Sequence, residues 1–302
     1  MSMAAPGRGI ERTLREMFGD AGVRGWLHVA ELHRPTAAVT VDADEAVLMG
    51  SVYKVPLAVA YGRQVDAGVL DPGQRVTLPP QDRLPGPTGI SQLRDEVSMS
   101  LRDLVVMMMS ISDNAAADAV LHHVGAAAFD DTCRALGLFR TQLNDGAAGT
   151  LARLLAETGA QSVDAAMARI ADNDRAVPPS VYDPAWATST TPAEMARLLR
   201  AIWTDEAASP DSCAFVRRTM ALQPWQHRLA AGFPYDEVAV YGKTGTFGVM
   251  RHEAGVVELA DGRTYTVVVF TQAARADRRL PRADSVIGAT ARAAVEHLRG
   301  RE

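Results

Sequence analysis

Lysine is almost missing from this chain. Lysine and arginine together number 31 of 302 residues, yet the only lysines are Lys54 and Lys243. A surface cation can be either residue, but a cation that must give up its proton or act as a compact point charge cannot be arginine. Cysteine is nearly as scarce, with Cys133 and Cys213 far apart in helix-like segments. They are expected to be buried, unpaired thiols rather than a disulfide framework. A basic balance is absent too: the formal net charge is −5, which excludes a dedicated nucleic-acid binder. No apolar run reaches the length of a membrane span. The first residues, MSMAAPGRGIERTLREMF, lack the basic head and apolar stretch of a secretory leader. The chain as given therefore reads as cytoplasmic, or as periplasmic or secreted if a leader has been removed. Metal-ligand spacing is missing: His122 and His123 are adjacent, and His28 and His33 lie five apart. Gly242-x-x-Gly245 lacks the strand–turn–helix setting of a phosphate loop. No cofactor, metal, nucleic acid or membrane is expected as a partner.

What remains is a well-supplied globular chain, 47% hydrophobic and 22% charged, long enough for one large domain or two medium ones. Helical periodicity runs over 9–19, and strands are read at 26–32 and 37–41. Residues 51–67 predict a helix closed by Gly68, and a Pro/Gly-rich loop covers 79–89. Helices follow over 100–109, 113–124, 126–136 and 150–170, then a loop over 172–190. Thr191-Pro192-Ala193-Glu194 predicts a helix start, with Thr191 as N-cap, Pro192 at the first position and Glu194 closing a capping box. A helix over 211–222 precedes strands at 237–243, 249–259 and 264–270, the last two joined across Asp261-Gly262. Residues 282–299 form a last helix. Strands lie at both ends and helices fill the middle, so the expected class is α+β. One antiparallel sheet built from both termini is flanked by helices, with an inserted all-helical subdomain.

Three short motifs carry chemistry. In Ser51-Val52-Tyr53-Lys54, residues three apart share a helix face. A serine hydroxyl needs a base, and Lys54 serves if burial near a helix start lowers its pKa. Ser112-Asp113-Asn114 precedes a helix. Ser112 is suited to a proton relay, and Asn114 to holding Lys54 or a substrate carbonyl. Lys243-Thr244-Gly245 ends an apolar strand. Lys243 offers charge to an anionic group, Thr244 a hydroxyl, and Gly245 room for a substrate backbone. Read singly, each is also an ordinary helix cap or turn. Together, in this order, they form the known trio of class A β-lactamases and penicillin-binding proteins, and both lysines fall inside it.

The chain thus resembles the serine β-lactamase and penicillin-binding-protein superfamily, closest to class A. The resemblance covers nearly the whole length, through SVYKVPLAVAYGRQVDAGVLDPGQRVTL, SLRDLVVMMMSISDNAAADAVLHHVG, TSTTPAEMARLL and VYGKTGTFG. It implies a mixed subdomain of residues 1–43 and 225–302, a helical subdomain of 44–224, and a site in the cleft between them. It also implies an oxyanion hole from the backbone N–H groups of Ser51 and Thr246. Arg228 stands where some members keep a carboxylate-binding arginine, with Arg251 a weaker rival. One departure matters. The family's loop glutamate, which activates the deacylating water, has no counterpart in LGLFRTQLNDGAAGTLARLLAETG. One register places Arg140 there and another places Ala147, while Asp145 and Glu157 are the substitutes considered. The expected activity is hydrolysis of a β-lactam or similar cyclic amide through an acyl-enzyme on Ser51, with slow deacylation. The alternatives are a D-alanyl peptidase, esterase or acyltransferase using the same site, or an acylated sensor. The partner is a small-molecule acyl amide or ester, and the chain is expected to be a monomer.

Overall fold

A computed structural model describes residues 8–144, 146–170, 180–275, 277 and 279–300. Helix α1 (Arg8–Asp20) leads into β1 (Val23–Glu31) and β2 (Arg34–Val41). After the short β3 (Val47–Leu48), one turn of 3-10 helix (Gly50–Tyr53) runs directly into α2 (Lys54–Asp66). The strands β4 (Arg75–Leu78) and β5 (Val97–Ser100) pair with each other. Helices α3 (Leu101–Ser110), α4 (Asn114–Val124), α5 (Ala126–Ala135), α6 (Ala147–Thr158) and α7 (Val163–Ile170) follow. Strand β6 (Ser189–Thr190) pairs with β3 and leads to α8 (Pro192–Trp203) and α9 (Pro210–Ala221). The chain closes through β7 (Ala239–Phe247), β8 (Met250–Glu258), β9 (Thr264–Ala273) and α10 (Pro281–Arg299).

Five strands form one antiparallel sheet in the order β2-β1-β9-β8-β7. Its centre joins the two ends of the sequence, with Val23 opposite Ala273 and Glu31 opposite Tyr265. This is the α+β arrangement expected from the order of elements. Side chains alternate across a strand, and each face has its own core. Leu14, Phe18, Val257, Val267, Ile287 and Val295 fill the face covered by α1 and α10. Met250, Ala254, Val256 and Phe270 face a larger core with α2, α3, α4 and α8. Helix α8 lies against β1, β8 and β9.

Helix α2 is buried around most of its circumference, through Val55, Leu57, Ala58, Val59 and Ala60. It has no wet stripe because it is the central post of the helical layer. Three local readings need correction. The helix expected over 150–170 is two, broken at Gly159 in the left-handed conformation (φ +63). Within 172–190, residues 180–182 form a 3-10 turn and Ser189–Thr190 a strand, while 171–179 lie outside the described residues. The third concerns the start of α8. Thr191 caps it, accepting from Glu194 N at 3.1 Å, but the Glu194 carboxylate does not close the box. It turns away to accept from Arg140 N (2.9 Å) and Thr141 Oγ1 (2.7 Å). Both cysteines are buried and free.

Candidate active site

The 3-10 turn that carries Ser51 begins at Gly50, whose φ of +48 favours glycine. Glycine is required on the facing strand as well. A Cβ on Gly245 would lie 2.7 Å from Met49 O, and one on Gly50 would lie 3.4 Å from Thr246 N. Backbone therefore meets backbone where β7, the sheet's edge strand, passes Ser51. The free N–H groups at a helix start point outward, so the N–H of Ser51 and that of Thr246 belong to one small region. Ser51 itself is partly exposed, and Thr246 is exposed.

Lys54 is the first residue of α2 and is fully buried. Its Nζ donates to Ser112 O (2.7 Å), Asn114 Oδ1 (3.0 Å), and Ser112 Oγ and Asp113 O (both 3.3 Å). Among the described residues it makes no hydrogen bond to Ser51. Ser112 holds a left-handed φ of +59, a strained setting for serine, and Lys54 bonds both its carbonyl and its hydroxyl. From the far side, Lys243 Nζ donates to the same Ser112 Oγ (2.9 Å) and to Thr244 O (3.0 Å). The two lysines thus share one hydroxyl, with their nitrogens no more than about 6 Å apart. Two charges at that separation repel by about 3 kcal/mol at an effective dielectric of about 20.

Burial adds to this repulsion. Desolvation pushes Lys54 down from 10.5 to about 7, opposed by the negative charge of Asp113. Lys243 is also driven well below its ordinary value, first by burial and then by Lys54, while Glu253 pulls the other way. Asp113 is a fixture of the fold. Its Oδ1 accepts from Ala115 N (2.9 Å), Ala116 N (3.1 Å) and Ser91 Oγ (3.2 Å), and its Oδ2 accepts from Ile90 N. It caps α4 and ties down the turn at Ile90 and Ser91 that follows the Pro/Gly-rich loop.

The remaining expected site residues have definite places. Thr244 is buried, and its N–H donates to Gln223 Oε1 at 2.7 Å. Arg228 is buried, and its guanidinium makes four hydrogen bonds. It bonds Asp284 Oδ1 (2.7 Å), Gly245 O (3.0 Å), His252 O (2.9 Å) and Thr246 Oγ1 (2.8 Å). Arg228 therefore reaches the site through Thr246 and already holds a carboxylate of its own. Arg251 is tied to Gly248 O and Met250 O, both at 2.8 Å. Arg140 bonds the carbonyl of Asp44. Glu157 is exposed and accepts from the Ser180 N–H at 2.8 Å. Asp145 lies outside the described residues. Ala147 opens α6, and its backbone approaches the buried hydroxyl of Tyr53, the residue before Lys54.

Sequence reading did not find Gln223 and Glu253. Glu253 lies opposite Thr244 in the β7–β8 register and is buried on the α10 face. It accepts from Gln223 Nε2 (2.7 Å) and Leu229 N (2.8 Å), and burial raises its pKa. Gln223 thus fastens the edge strand to this carboxylate. No local motif announces the pair, which exists only through strand register.

Known proteins resemble the chain over nearly its whole length. A family model described as Beta-lactamase enzyme family matches residues 9–298. The β-lactamase regulatory protein BlaB of Streptomyces cacaoi is 30% identical over 308 residues, covering 95% of this chain and 97% of that protein. Among solved structures, a β-lactamase from Sphaerobacter thermophilus superposes with a TM-score of 0.77 at 23% identity, covering 96% of each chain. A single-site mutant of PBP-A, solved as an acyl-enzyme complex with penicillin G, gives 0.78 at 19% identity, covering 99% of this chain and 100% of that one. With both a whole-length family match and a relative at 30% identity, this chain belongs to the β-lactamase enzyme family.

Proposed function

We propose that the chain is a serine hydrolase that opens β-lactams, or similar cyclic amides, by forming an acyl-enzyme on Ser51, and that it releases the acyl group slowly. The observation that carries this reading is the chain Lys54–Ser112–Lys243. Removing two ammonium groups from water is unfavourable, and a purely structural role needs neither of them. A nucleophilic serine needs a base that is neutral near pH 7, and Lys54, held down to about 7 by burial, meets that need. Lys54 accepts the Ser51 proton as Oγ attacks the carbonyl carbon. The N–H groups of Ser51 and Thr246 bind the developing oxyanion. Ser112, bonded to both lysines, passes a proton to the departing nitrogen. Lys243 and Thr244 hold an anionic group of the substrate, and Asn114 its amide carbonyl. Slow release is the reading that the loop sequence supports, since neither register of the family's loop glutamate, at Arg140 or at Ala147, supplies a carboxylate.

A second reading, an acylated sensor, draws on the regulatory role that the Streptomyces relative is named for. Penicillin G and nitrocefin, added to wild type and to Ser51→Ala, separate the two. Catalytic turnover by wild type alone supports the hydrolase. Stoichiometric labelling of Ser51 without turnover supports the sensor. Equal behaviour of the two proteins would sink both.

A further inference from the structure

An edge strand presents a row of backbone groups with no further strand to pair with, and β7 is an edge of this sheet. At Thr244 two backbone groups are taken by side chains. The N–H donates to Gln223 Oε1 at 2.7 Å, and the carbonyl accepts from Lys243 Nζ at 3.0 Å. The same Nζ donates to Ser112 Oγ at 2.9 Å. The Lys243 ammonium is thus seated on the Thr244 peptide, and that peptide is seated on Gln223.

Glu253 decides which way the Gln223 amide points. The Thr244 N–H is a donor and must meet the amide oxygen. An ionised carboxylate only accepts, so Glu253 must meet the amide nitrogen, as it does through Oε1 at 2.7 Å. Its Oε2 accepts from Leu229 N at 2.8 Å, next in sequence to Arg228. A flipped amide would set N–H against N–H at Thr244 and oxygen against oxygen at Glu253. Gly242 leaves room for this clip. A Cβ there would lie 2.3 Å from Glu253 Oε1 and 2.8 Å from Gln223 Nε2. Glu253 is only 1% exposed and is held by two neutral N–H groups. Burying a carboxylate in this way is costly, and an apolar side chain in its place would avoid that cost.

Resting on the proposed acylation of Ser51, we infer that Glu253 and Gln223 are positioning residues for recognition of the substrate's anionic group. Glu253 fixes the amide of Gln223, Gln223 fixes the Thr244 peptide, and that peptide carries the Lys243 ammonium. Neither residue of the pair touches substrate. A shift of the Thr244 peptide moves the charge that meets the anionic group, while Lys54 is held separately by Ser112, Asp113 and Asn114. The pair therefore governs how strongly the site prefers an anionic substrate over a neutral one of the same shape.

The test is rapid-quench intact-mass measurement of acylation of the full chain by penicillin G and by its methyl ester, which lacks the charge. In Gln223→Ala the ratio of the acid rate to the ester rate should fall about 10- to 100-fold, the range for one hydrogen bond to a charged group. Glu253→Gln should lower the ratio in the same direction, because an amide there leaves one of the two N–H donors without an acceptor. Gln223→Ala/Glu253→Gln should lower it no further than Gln223→Ala does, since Glu253 acts through Gln223. Gln223 is only half-buried, so Gln223→Ala carries the test if Glu253→Gln does not fold. An unchanged ratio in Gln223→Ala, whether both rates fall together or neither falls, overturns the inference and leaves the Ser51 reading standing. Losses that multiply in the double variant overturn the link from Glu253 through Gln223. Wild type that takes no label at Ser51 from either compound overturns the inference and the underlying reading together.

Discussion

Lys54 is a buried amine facing four oxygen acceptors, and its behaviour turns on a balance of two effects. The acceptors and the charge of Asp113 favour the ammonium, while burial favours the free amine and wins by enough to bring the pKa to about 7. A base acts in its deprotonated form, so the acylation rate of Ser51 should rise with pH through about 7 and level off above it. Asn114→Ala removes one acceptor from the ammonium at 3.0 Å. Its rising limb should therefore move to lower pH, by about one unit if that charged hydrogen bond is of ordinary strength. Lys54→Arg keeps a cation that cannot deprotonate, and should lower acylation by about 100-fold or more at every pH. Stopped-flow acylation between pH 5.5 and 9 measures all three. A limb that stays put in Asn114→Ala would show that Lys54 is not the titrating base.

At the scale of elements, the start of α8 shows a local signal overruled by a tertiary one. Glu194 has the spacing to close a capping box, but its carboxylate holds Arg140 N and Thr141 Oγ1 instead. It pins the segment after α5 to α8. Glu194→Ala leaves Arg140 N without an acceptor and Thr141 Oγ1 with only Thr190 Oγ1, and should cost about 3 kcal/mol, read as a lower urea midpoint with an unchanged m-value. If the midpoint does not move, the carboxylate is dispensable. The same contrast explains how much of the site was legible. Ser51, Lys54, Ser112, Asn114 and Lys243 lie in short motifs whose chemistry limits the residue type, and the hydrogen bonds link four of them through Ser112 and Lys54. The five strands of the sheet and the α+β order were legible for a similar reason, since a period of two or of 3.6 is local, although β7 runs on to Phe247 and so holds Lys243 in mid-strand rather than at its end. Gln223 and Glu253 were not. Glu253 meets the site only because Thr244 falls opposite it. The break at Gly159 was missed because the alanine-rich stretch around it reads as continuous helix.

At the scale of the whole molecule, the C-terminal helix governs the site from the opposite face of the sheet. Asp284 of α10 holds Arg228, and Arg228 holds Gly245 O and Thr246 Oγ1, on the stretch of β7 that passes closest to Gly50, the residue before Ser51. One turn further along α10, Gly288 lies against the backbone of the same segment. A Cβ there would meet Arg228 O at 2.4 Å and Gly232 N at 2.6 Å, and one on Gly232 would meet Gly288 O at 2.2 Å. Backbone atoms cannot swing aside as a flexible side chain can. Gly288→Ala must therefore push α10 and the 228–232 segment apart. Overpacking of this kind costs about 1–3 kcal/mol. The displacement also passes along Arg228 to the stretch of β7 beside Gly50 and Ser51, the edge proposed to bind the oxyanion, where a shift of about 1 Å can cost up to about 100-fold in rate. Acylation by penicillin G should thus slow by about 10- to 100-fold in Gly288→Ala at a temperature where the protein remains folded. Gly9→Ala, in α1 with nothing within 4 Å of its added carbon, should leave the rate unchanged and stabilise by about 0.5–1 kcal/mol. If Gly288→Ala loses stability but acylates at the wild-type rate, then α10 supports the sheet without setting the geometry of the nucleophile.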